Sequence, residues 1–380
     1  MRYRMEVEMV SPQLPTSPPL TEEVALNSIR DFFRDKPFVF FGTGMSCALD
    51  DRFGMPALQE HLSRSVAPDA QASEQVQQWE QVMKSLQDGT HLESALDSVT
   101  DSSLLQKITT ATGQFIASID REYAFRIAGG DVTWPATHFF KRLVDTLPEG
   151  DRVLHVLTPN YDMLFEYACD SVNIPYTNGF FGGVQRKTDW TAVNQSLLLP
   201  ERVRQRNRFM TVYKHRKHVR LYKAHGSLNF FFHQNVVVEN NSWMWDPPDF
   251  SVRVMVTPGL SKYQTLHSYR QELLKCADAA IENASRFLFL GYGFNDKHLE
   301  EYIKRKLVTQ GCNGLIITRD SNQRIEALLA EAGNVWLVCK MQKVGNDSTC
   351  IRNNHYSGWL CLPSKRLWKI DEFTAQMLGG

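Results

Sequence analysis

The sequence predicts an α/β protein: a Rossmann-like parallel sheet with helices on both faces and an inserted helical module. Three observations carry that prediction. Short, mainly apolar runs at Phe38–Phe41, Val153–Leu157, Val219–Ala224, Arg286–Leu290 and Gly314–Ile317 each stop at glycine or small polar residues, as buried strands do. Helix-period stretches around Leu299–Leu307 and Ile325–Leu329 follow the last two runs, and a further apolar run, Val335–Val338, comes after them. Such alternation implies parallel strands joined by right-handed crossovers. Between Ala72 and Leu147, by contrast, only helical spacing occurs.

The chain has 380 residues, more than one compact domain usually needs. The segment 1–20, with Pro12, Pro15, Pro18 and Pro19, reads as a proline-rich arm. Residues 21–340 read as one α/β domain with a helical insertion at about 66–150. In the segment 341–380, Trp359, Leu362, Leu367 and Trp368 are too apolar for a free tail, so an edge strand or a subunit or partner contact is expected. Forty-two basic and 42 acidic residues cancel, so composition alone advertises neither nucleic acid nor membrane. No apolar run reaches membrane-spanning length. The seven cysteines form no C-x-x-C pair and no apolar leader precedes them, which predicts free thiols in a cytoplasmic protein.

A first helix fits Thr21–Phe33, with Thr21 as its cap and Val24, Leu26, Ile29 and Phe33 inward. A short helix fits Pro56–Ser65 through Leu58 and Leu62. Apolar stripes at Val76–Leu86, Leu92–Val99, Leu104–Ile119 and Trp134–Leu147 build the insertion. Gly179–Gly183 reads as a flexible turn. Arg202, Arg204, Arg206, Arg208, Lys214, Arg216, Lys217, Arg220 and Lys223 then face one acid, Glu201, in a basic segment open to two readings: a solvated or subunit face, or a nucleic-acid surface. Ser268–Ala284 is a helix with Leu273, Ala277 and Ile281 inward.

The candidate site lies at the strand ends. Gly42-Thr43-Gly44-Met45-Ser46 follows the first strand, and two glycines there allow a tight turn that a phosphate or ribose can approach. Asn160, in Thr158-Pro159-Asn160-Tyr161-Asp162, can orient a hydroxyl or a water without carrying charge, or can form an Asx-turn. Asp162 can cap the next helix or take part in chemistry. His225 carries an imidazole that can serve as a base, and Gly226 beside it permits close approach. In open α/β sheets such ends border one crevice.

The GTGMS turn, the downstream GMPAL, then TPNYD, HGS and GYGFND, resemble in order the sirtuin-like NAD-consuming domain, in the branch found in bacterial antiphage defence proteins. The resemblance spans about Phe38–Thr318 and implies NAD+ as substrate. On it, Gly42, Thr43, Gly44 and Ser46 would cradle phosphate and ribose, Asn160 would hold ribose and water, Asp162 would line the nicotinamide pocket, and His225 would act as base beside Gly226. Gly291, Gly293, Asn295 and Asp296 would complete the ribose and phosphate wall, with Thr318 near the adenine. Two departures stand out. Protein-deacylating sirtuins carry Asp-Phe-Arg after Gly-Ile-Pro, where this chain has Ala57-Leu58 after Gly54-Met55-Pro56, and their paired zinc-binding C-x-x-C motifs are missing. The resemblance therefore implies an NAD+ glycohydrolase without zinc, acting in defence by NAD+ depletion, with a homo-oligomer and a HerA-type ATPase as partners. The rival readings are an NAD+ or ADP-ribose sensor without turnover and a nucleic-acid-binding protein.

Overall fold

The computed structural model describes residues 17–205, 208–255, 267–294, 297–341 and 347–379. Nine strands form one sheet in the order Leu360–Leu362, Thr349–Asn353, Val335–Lys340, Asn313–Ile317, Arg286–Leu290, Phe38–Phe41, Val153–Thr158, His218–Lys223 and Tyr176–Thr177. From Val335–Lys340 to Tyr176–Thr177 all neighbours run parallel; the two C-terminal strands add an antiparallel edge.

Phe38–Phe41 is apolar throughout because helices cover both its faces. Val39 and Phe41 enter one core with Ile29, Phe140 and Phe165, while Phe38 and Phe40 enter the other with Leu273, Phe289 and Ile325. Phe40 stacks on Phe289 at 5.2 Å between ring centroids, and Phe41 on Phe165 at 5.5 Å. The strand also marks where the order turns. Val153–Thr158 lies on one side of it, and Arg286–Leu290, Asn313–Ile317 and Val335–Lys340 extend the other. A crevice opens at the carboxyl ends of strands at such a switch point.

The first helix is Glu22–Phe32, capped by the Thr21 hydroxyl, which accepts from the Val24 N–H. Its buried stripe is Ala25, Leu26, Ile29 and Phe32. Val24 lies one residue off that stripe and is exposed, which corrects the expected inward set there, while half-buried Phe33 packs inward against Phe139 and Phe373.

The insertion contains helices Ser73–Gln87, Leu92–Leu96, Ser102–Ala128 and Thr137–Asp145. Leu58, Leu62, Trp79, Val82, Leu86, Leu96, Leu104 and Ile108 share a small core of their own. The 27-residue helix Ser102–Ala128 then leaves it, because Ile116, Ala117, Ile119, Tyr123 and Ile127 belong to the main core with Phe41. The helix thus ties the small core of the insertion to the main core.

A second sheet was not expected. Val252–Met255, Gly226–His233, Val236–Glu239, Arg186–Thr188 and Phe180–Gly182 form it in that order, and the glycine-rich 179–183 supplies its last strand rather than a free turn. Leu198–Gln205 and Arg208–His215 pair only with each other, as a two-stranded ribbon. The C-terminal segment provides edge strands, and Leu367, Ile370, Phe373 and Met377 bury in this chain's own main core. Residues 1–16 of the arm lie outside the described residues; Pro19 forms a parallel bridge with Ser357. Among the described residues no helix is long and apolar enough to cross a membrane.

Candidate active site

A cavity of about 920 Å³ sits over the carboxyl ends of the strands, within the usual range for small-molecule pockets. Four strand-end loops line it: Gly42–Gly44, Pro159–Asp162, His225 and Gly291–Gly293. The small core of the insertion supplies much of the facing wall through Met55, Leu58, Leu86, His91 and Leu92. Arg324, near the start of helix Gln323–Glu331, is the only Lys or Arg among the described lining residues. Its guanidinium donates to the Phe294 carbonyl at 2.8 Å.

The glycines bring two loops into backbone contact. The Gly42 N–H donates to the Leu290 carbonyl at 3.0 Å and the Gly44 N–H to the Gly291 carbonyl at 3.1 Å. A Cβ on Gly44 would lie 2.8 Å from Gly291 Cα, and one on Gly291 would lie 2.7 Å from Met45 N. Loop-to-loop packing thus accounts for this glycine pattern, and the four glycines of these loops line the cavity together with Thr43 and Tyr292.

Beside these loops, three polar groups form a directed chain. Asn160 Nδ2 donates to Ser46 Oγ at 2.9 Å, and Ser46 Oγ donates to Asp162 Oδ2 at 2.7 Å. Because the Ser46 proton goes to the carboxylate, the hydroxyl can only accept from Asn160, which fixes which way the amide faces. Asn160 Oδ1 is buried and has no hydrogen-bond partner among the described residues. Asn160 as a residue lines the cavity. Asp162 Oδ1 accepts from the Leu164 N–H at 3.3 Å, so this carboxylate caps helix Leu164–Ser171 while orienting Ser46. Burial pushes its pKa up, and the Lys223 charge pulls it back.

The loop is braced by two buried groups that sequence reasoning did not single out for the site. Lys223 Nζ lies 2.5 Å from the Asp162 carbonyl and 3.0 Å from Glu166 Oε1, with both charged side chains almost wholly buried. Lys223 therefore leaves the basic surface segment in which its sequence neighbours had placed it. Asp120, fully buried on the long helix, accepts from the Met163 N–H at 2.8 Å, the Tyr167 hydroxyl at 2.6 Å and Trp245 Nε1 at 3.2 Å. An acid inside an apolar helical stripe was the available signal for it.

Burial raises the Asp120 pKa from its ordinary 3.8 to about 6. An acid raised on folding binds its proton more tightly in the folded state, so its stabilising share is full below about pH 4 and is lost as pH rises through 6. Wild type is therefore expected to gain thermal stability relative to Asp120→Asn between pH 7.5 and pH 5. Melting curves of both proteins at the two pH values check this, and an unchanged difference would remove burial of the ionised carboxyl as the cause.

Gly42, Thr43, Gly44, Asn160, Asp162, His225, Gly291 and Gly293 thus border one cavity, as expected of the strand ends. Ser46 stands behind Asn160 and acts through it. Gly226 and Thr318 are not among the cavity's lining residues. Gly226 has φ +86° and its missing Cβ would sit 2.0 Å from the Val254 carbonyl, so that position serves the turn into the second sheet. Thr318 donates its N–H to Val338 and its hydroxyl to the Asp320 carbonyl, two strands away from Phe38–Phe41. Asn295 and Asp296 lie outside the described residues.

Residues 154–337 match the SIR2-like domain family. The matched stretch includes Asn160, Asp162, His225 and Gly291–Gly293; the Gly42–Ser46 turn precedes it. A solved structure from work on the mechanism and regulation of Sir2 enzymes is similar at 13% identity and a TM-score of 0.36, over 79% of this chain and 88% of that one. No curated protein is similar enough to match. SIR2-like domains use NAD+ as substrate. Among the described residues, no group of three His, Cys, Asp or Glu is placed to hold a metal.

Proposed function

We propose that the chain is an NAD+ glycohydrolase, cleaving the nicotinamide-ribose bond to give nicotinamide and ADP-ribose. The observation that carries this reading is Asn160, which lines the cavity and whose carboxamide is oriented by Ser46 and Asp162 with its buried oxygen left unpartnered among the described residues. Such an acceptor suits a ribose hydroxyl or the attacking water. The loops at Gly42–Gly44 and Gly291–Gly293 leave room for the ribose and diphosphate, and Arg324 is the cation available to the diphosphate.

Cleavage builds positive charge on the ribose while cationic nicotinamide leaves as a neutral molecule, so no acid need protonate the leaving nitrogen. The protein's task is to hold the ribose, exclude bulk water and present one water. His225, half-buried on the same cavity wall, is the base that would take that water's proton. The resemblance of the strand-end motifs also supports a role in antiphage defence, with a homo-oligomer and a HerA-type ATPase controlling the activity.

Purified protein, alone and with that ATPase, is expected to convert NAD+ to nicotinamide, with Asn160→Ala and His225→Ala each slower by about a hundredfold or more. Chromatography of NAD+ and nicotinamide reads the result. Intact NAD+ in every sample, together with tight binding of ADP-ribose, would replace the enzyme by a sensor.

A further inference from the structure

We propose that the ribbon formed by Leu198–Gln205 and Arg208–His215 binds single-stranded nucleic acid. Side chains directly opposite on paired strands share a face, and alternate residues along a strand do too. Arg202 is opposite Thr211, Arg204 opposite Phe209, and Pro200 opposite Tyr213. One face of the ribbon therefore presents Arg202, Arg204, Phe209 and Tyr213 together. Phe209 is 75% exposed and Tyr213 67%, so both rings offer their π-faces to solvent.

The charge on this face is uncompensated among the described residues. Glu201, the one acid of the ribbon, sits on the opposite face and is held by Arg152 at 2.6 Å and Lys214 at 2.9 Å. Neither Arg202 nor Arg204 has an ion pair among the described residues, and the chain as a whole is neutral, so the excess of cations is local. The ribbon joins neither sheet, and it spans roughly 25 Å from the rise per residue of a strand.

Exposed rings set among arginines are how sequence-tolerant single-strand binders work: bases stack on the rings while guanidinium groups track the phosphates. Phe209 and Tyr213 stand four residues apart on one strand, roughly 13 Å, and Arg202 and Arg204 lie beside them on the partner strand. Duplex bases are already stacked on one another and cannot use these rings, which favours a single strand. The trimming of the basic segment sharpens the surface. Lys223 is buried in its ion pair and Arg220 is bound to Asn194 at 2.6 Å, so the ribbon rather than the whole stretch carries the site.

Fluorescence anisotropy with a labelled 20-nucleotide single strand of mixed sequence tests this, in a salt series beginning at 50 mM. The wild-type protein is expected to bind it more tightly than a duplex of the same length. Arg202→Ala/Arg204→Ala should weaken binding and lower the slope of log K against log salt by about 1.4, since each phosphate contact contributes about 0.7 on a single strand. Phe209→Ala/Tyr213→Ala should weaken binding about tenfold or more while leaving the slope unchanged. All four side chains are exposed, so both variants are expected to keep the wild-type melting temperature and basal NAD+ consumption. No binding at 50 mM salt, equal affinity for duplex, unchanged affinity in both variants, or a change of oligomeric state with oligonucleotide affinity intact would each overturn the proposal. None of these outcomes bears on NAD+ cleavage.

Discussion

Lys223→Ala is expected to destabilise the protein by about 3 to 5 kcal/mol, the usual loss when one member of a buried ion pair is removed and the other is left behind. Lys223 and Glu166 are 1% and 2% exposed. The Glu166 pKa already stands at about 7 because burial opposes its charge, although Lys223 pulls it down, and Glu166 Oε2 has no partner among the described residues. Without the ammonium the carboxyl would be driven further toward its neutral form. The loss should therefore be largest above pH 7 and shrink in acid, where Glu166 is protonated at little cost. Lys223 also donates to the Asp162 carbonyl, so NAD+ cleavage should fall alongside stability. Urea unfolding of Lys223→Ala and of Lys223→Met/Glu166→Leu separates the terms. The double variant should recover much of the stability, because two apolar side chains leave no stranded charge. A loss below 1 kcal/mol in Lys223→Ala at pH 8 would mean that the pair carries no such strain.

Gly291→Ala should disable the site through the backbone alone. Gly291 has φ +52°, a left-handed conformation that costs an L residue about 1 to 2 kcal/mol, and the new methyl would meet Gly44 C and Met45 N at 2.7 Å. Neither neighbour is a side chain that can swing away. The loops at Gly42–Gly44 and Gly291–Gly293 would have to separate, straining the hydrogen bonds from the Gly42 and Gly44 N–H groups. The expected result is a loss of at least about 2 kcal/mol with about a hundredfold fall in turnover, since small misplacements of a substrate cradle cost that much. Gly130→Ala is the control, because φ is +80° there, no atom lies within 4 Å of the added methyl, and the position is not among the cavity's lining residues. Equal losses in the two variants would reduce the Gly291 effect to conformation and remove the contact argument.

The parallel sheet was legible because strands buried on both faces become unbroken apolar runs; Arg286–Leu290 carries the same bounds in sequence and structure. The second sheet was not, because its strands mix glycine, charge and aromatic residues in no clean alternation. At the site, the residue types could be read but not their pairing. Asn160 and Ser46 lie 114 residues apart, and Asp120 reaches Met163 across 43, distances over which local pattern carries no information. Lys223 misled for a related reason. Its neighbours in sequence are basic and exposed, and only Glu166, 57 residues earlier, shows that it points inward. The glycines were found for their ability to turn, whereas at Gly42, Gly44 and Gly291 the structure also uses the absence of a Cβ to let two backbones touch.

The placement of Phe38–Phe41 also sets an order of assembly. Val39 pairs with Val156 on one side and Leu288 on the other, so the strand made first at the centre of the sheet waits for partners synthesised much later. Contacts of such long sequence separation form slowly, and during synthesis the early segment has no edge to join. The cavity therefore cannot close until the chain has been made through Gly293. A nascent or truncated product ending before Arg286–Leu290 would leave one edge of this wholly apolar strand open to chaperones and would lack the Gly291–Gly293 wall of the cavity.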